Sequence, residues 1–158
     1  MAIQRTSSLP PVRLKLSTLV PKPKPKKDGE EPPPDDYRRY REELEEAGAV
    51  LEFRMASGRE VDAWQRRMQA VQIQMKKKDR AYCKANDLND GEADPESDQL
   101  LVDVYEQVFG EVFIGLEGFV DVTDAASAWE ALLDFMPFIR VLIAQYICRR
   151  QRPSDPES

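Results

Sequence analysis

Apolar positions along this chain change their period several times, and each change marks an element. Val12, Leu14 and Leu16 alternate with Arg13 and Lys15, which places them on one face of an extended chain and predicts a strand within residues 12–20. Pro21, Pro23 and Pro25 then alternate with lysines. Alternating proline forbids helix and central strand, so the stretch reads as a stiff polyproline-II spacer. The acidic, proline-rich residues 28–36 continue that linker. Tyr37, Tyr40, Leu44 and Ala47 recur at helical spacing, with Asp35 or Asp36 as the expected N-cap and Gly48 as the stop. Leu51, Phe53 and Met55 alternate against Val50 and Glu52, which predicts a second strand over residues 49–55. Its natural partner is the first, and since a lone pair of strands is marginal, the two must pack on a helix.

Ser57-Gly58-Arg59-Glu60 is a capping box, and the helix it opens is the strongest in the chain. Val61, Trp64, Met68, Val71 and Met75 form a heptad seam that Tyr82 extends, and the helix is expected to end near Ala85. So short a seam suits an intramolecular helix pair better than a long coiled coil. Residues 86–94 form a polar loop, after which Asp94 caps and Pro95 opens a third helix bearing Leu101, Val104, Tyr105, Val108 and Val112. Leu100 and Phe109 widen its apolar face, and Gly115 and Gly118 stop it. Thr123 is the expected cap of a short fourth helix with Trp129, Leu132 and Leu133. Pro137 opens a fifth, with Phe138, Val141, Leu142, Gln145 and Tyr146 down one side and Arg149 and Arg150 in its last turn. The expected fold is mainly α (α+β). It comprises a helical domain of about five helices over residues 35–150 with a minor two-stranded β element, a flexible basic N-terminal arm over residues 1–34, and a disordered tail over residues 151–158.

Charge is segregated along the same chain. Residues 1–27 hold seven bases and no acid, residues 59–84 hold eight bases against three acids, and residues 85–134 hold fourteen acids and no base. Such segregation favours neutralising contacts between segments or between copies. The net charge of −6 hides a basic start attached to an acidic remainder. That remainder would repel nucleic acid, so nucleic-acid binding is not expected. The basic run Lys76-Lys77-Lys78-Asp79-Arg80 reads as a solvated helical face that pairs with the acidic segment.

Catalytic groups are scarce. The chain has no histidine, which removes the commonest general base and the commonest transition-metal ligand together. Cys83 and Cys148 are far apart in sequence and match no zinc or redox spacing, so two free thiols are expected. Asp87, Asp90, Glu92 and Asp94 fail the register of a calcium loop, and no glycine precedes the Lys-Ser/Thr pair of a phosphate loop. The longest apolar run, residues 135–147, contains Arg140 and Gln145 and is too short to span a bilayer. No secretory signal is read at the start. The expectation is a non-enzymatic protein of the cytoplasm that binds no cofactor, metal or membrane.

One stretch resembles a known family. Residues 112–122, with Gly115-Leu116-Glu117-Gly118 and Asp121, followed by Leu132-Leu133 and Pro137, are similar to the tail assembly chaperones of long-tailed bacteriophages. The stretch Leu51 to Glu60 resembles the strand-to-helix junction of such proteins. Leu116 stands where the family usually has an aromatic, and the turn lacks the expected Asp-Gly pair. The resemblance implies a chaperone in the host cytoplasm that binds the tape measure protein and recruits major tail protein subunits, with self-association as a further contact. The alternative is a virion structural or head–tail connector protein whose basic arm grips neighbouring subunits or DNA. Leu116, Phe119, Phe135, Phe138 and Tyr146 are the expected protein-binding residues, because they offer more apolar area than one end of so small a body needs. Lys22, Lys24, Lys26 and Lys27 are the expected auxiliary basic contacts.

Overall fold

The computed structural model describes residues 2–3, 9–24, 27–29, 31 and 33–149. Five helices and a small antiparallel sheet form a mainly α fold: α1 (Arg38–Ala47), α2 (Gly58–Ala85), α3 (Ser97–Val112), α4 (Ala125–Phe135) and α5 (Pro137–Arg149), with β1 (Val12–Lys15), β2 (Val50–Phe53) and β3 (Phe113–Glu117) in the order β1-β2-β3. The expected 151–158 tail, Arg150 and Lys26 lie outside the described residues.

The sheet follows from alternation. Leu14 pairs with Leu51 and Leu51 with Leu116, and these three, with Val12 and Phe53, turn inward. On the outer face Arg13 bridges Glu52 at 2.9 Å and Glu117 at 3.0 Å, tying all three strands together. The guanidinium is about half exposed, so the bridge adds little stability and mainly marks the register.

Three strands form rather than two. β3 follows α3 without a loop, because Phe113 turns extended and Arg54 N–H donates to the Val112 carbonyl at 2.9 Å. The register skips Ile114 between Gly115 and Phe113, and this bulge leaves Ile114 exposed. The first strand is shorter than the alternation suggested. It ends at Lys15, where Thr18 Oγ1 donates to the Lys15 carbonyl at 2.6 Å, and Leu16–Leu19 wind into a 3₁₀ turn. Leu16 and Val20 are nevertheless buried, so residues 12–20 pack with the helices.

Three helix starts differ from the expected ones by one or two residues. Asp35 sits ahead of α1, accepting Arg38 N–H on its carbonyl and Arg41 on its carboxylate. Asp94 Oδ1 accepts Glu96 N–H and its carbonyl accepts Ser97 N–H, so α3 begins at Ser97 instead of Pro95. Asp124, not Thr123, caps α4, in a reciprocal box with Ser127. The Ser57–Glu60 box and the left-handed Gly48 stand where the sequence places them.

The buried face of α5 is not the expected one. Ile139, Ile143, Ala144 and Ile147 face the core, whereas Phe138 is exposed and Val141, Leu142, Gln145 and Tyr146 are half-buried. The helix is apolar nearly all round, so periodicity could not choose its inner face. α5 is the hub of the fold and touches α2, α3, α4 and the 3₁₀ turn.

Candidate functional site

The five apolar residues expected at a binding surface do not form one exposed patch. Leu116 lies on the inner face of the sheet. Phe135 stands edge-on to Phe119 at 5.8 Å between centroids and to Tyr40 at 5.5 Å, and this aromatic chain fastens α1 to the end of α4 and to the turn after β3. Tyr146 packs edge-on to Phe53 at 6.2 Å. Phe138 alone is open, at 47% exposure, and Ile114 and Val120 are further exposed apolar side chains. The aromatics that looked surplus in sequence serve as internal joints, where each pair adds roughly 1 kcal/mol beyond its buried area.

The lysines of the arm are exposed at positions 22, 24 and 27. The first of these is near an anchored point, since Arg41 Nη1 donates to the Pro21 carbonyl at 2.6 Å. Ser17, Thr18, Lys22, Arg41, Glu42 and Glu45 line a cleft there, in which Ser17 Oγ donates to the Glu45 carboxylate.

A second concavity lies where the C-terminal end of α5 meets the pair α2–α3. Val61, Gln65, Met68, Tyr105, Gln145, Cys148 and Arg149 line this groove of about 310 Å³. Burial pushes the Cys148 thiol up to about 11, so it is a neutral, apolar wall at neutral pH. The floor offers soft sulfur and aromatic surface, and Gln65, Gln145 and Arg149 supply hydrogen-bonding groups. Such a lining suits an apolar side chain of a protein partner better than a reaction. Met68 belonged to the heptad seam and so was visible in sequence, whereas Cys148 and Gln65 carried no signal of a shared wall.

Comparison with protein-family models, curated proteins and solved structures found no match.

The pair α2–α3 is antiparallel. Trp64 Nε1 donates to Glu111 Oε2 at 2.6 Å at one end, and Lys78 Nζ lies 3.7 Å from Glu96 at the other. Arg67 adds a contact of 3.6 Å to Glu111. The basic run therefore meets the acidic segment sparingly. Among the described residues, Lys76, Lys77 and Arg80 make no ion pair, while Asp79 Oδ1 accepts Asp94 N–H at 2.8 Å. Cys83 and Cys148 are both free thiols, and the Cys83 thiol donates to the Glu92 carbonyl at 3.2 Å. Among the described residues no group of three acidic or cysteine side chains is placed to hold a metal, and no helix is long and apolar enough to cross a membrane.

Proposed function

We propose that this protein is a non-enzymatic tail assembly chaperone of a long-tailed bacteriophage, which binds the tape measure protein and helps recruit tail tube subunits during tail morphogenesis. The observation that carries the reading is the groove of Val61, Met68, Tyr105 and Cys148, in which these apolar side chains meet an amide and guanidinium rim on an acidic body. A tape measure protein is long, helical and apolar, and such a client needs shallow apolar slots on a carrier that itself stays dispersed. Methionine is suited to this because its unbranched side chain adapts to different client side chains. Net negative charge keeps the loaded carrier from aggregating. The likeness of residues 112–122 to the family supports the same reading.

The test is co-expression with the tape measure protein, followed by purification on a tag carried by the client. The chaperone should co-purify, and Met68→Glu should reduce its yield at least about tenfold while leaving the fold intact. Its absence from purified virions separates this reading from the head–tail connector, which would be present there in fixed copy number. Presence in fixed copy number, or retention of the client by Met68→Glu at wild-type yield, would refute the proposal.

A further inference from the structure

We draw no further inference here: the strongest candidate, the edge of the sheet at β3 with exposed Ile114 at its bulge and exposed Val120 in the turn that follows, offers apolar side chains to a partner, but nothing in the structure shows what covers them.

Discussion

Trp64 Nε1 donates to Glu111 Oε2 at 2.6 Å, and this bond joins a buried indole on α2 to the last turn of α3. Glu111 also faces Arg67 and lies beside the Arg54 guanidinium, which donates to the Glu111 carbonyl at 3.2 Å. One carboxylate thus satisfies a buried donor and anchors the helix pair where β3 begins. Glu111→Ala leaves the indole N–H without its partner and should cost about 1–3 kcal/mol. Chemical denaturation is the check, and Glu111→Gln, which keeps an acceptor, should lose less.

Gly118 has φ +91°, and a Cβ there would stand 2.8 Å from Ala49 Cα and 3.0 Å from the Ala47 carbonyl oxygen. Both neighbours are backbone at the α1–β2 junction and cannot turn aside. Gly118→Ala should therefore lose about 2–4 kcal/mol, combining left-handed strain with overpacking. Gly58→Ala, at a glycine with nothing near its Cβ position, serves as the control and should be near neutral or stabilising. Equal losses for the two would refute the close approach.

The bidentate contact of Arg54 with Glu60, helped by the Ser57 N–H, holds the Glu60 carboxyl down at about 2. A carboxyl whose folded value lies below its unfolded one, near 4.5, stabilises the fold fully above pH 4.5. That contribution is lost as pH falls from about 4.5 to about 2. Because solvent still reaches the pair, with Arg54 about half exposed, its full worth is discounted to about 1 kcal/mol. Glu60→Gln should flatten the fall in stability across that window, as read by urea midpoints at several pH values.

Cys148 lines the groove and has its thiol pushed up to about 11 by burial. Native alkylation at neutral pH should run at least about tenfold slower at Cys148 than at a solvent-exposed cysteine, because the thiolate is the reacting form. A bound client should slow it further, which mass spectrometry of the labelled peptide would record.

On α5, Ile143 is fully buried and Phe138 is not. Ile143→Ala should cost about 2–5 kcal/mol through transfer and cavity, whereas Phe138→Ser should stay within about 1 kcal/mol. The reverse order would place the expected face, rather than the observed one, against the core.

Local chemistry by itself determined the elements with a strong covalent or periodic signature. The Ser57–Glu60 box, the Gly48 stop, the Leu51–Phe53–Met55 alternation and the Val61–Trp64 start of the α2 seam each depend on residues within a turn or two, so the sequence carries them whole. Tertiary structure decided what depends on distant partners. β3 forms only because β2 presents a free edge to Phe113–Glu117, a stretch that continues a helical pattern and holds Gly115. α5 is apolar on nearly every side, so α2, α3 and α4 choose Ile139, Ile143 and Ile147 as its inner face and leave Phe138 outside. Phe119, Phe135 and Tyr146 looked like surface from sequence, since hydrophobicity does not say whether an aromatic partner stands nearby. The groove has the same origin, because its walls come from three helices and meet only when the chain is folded.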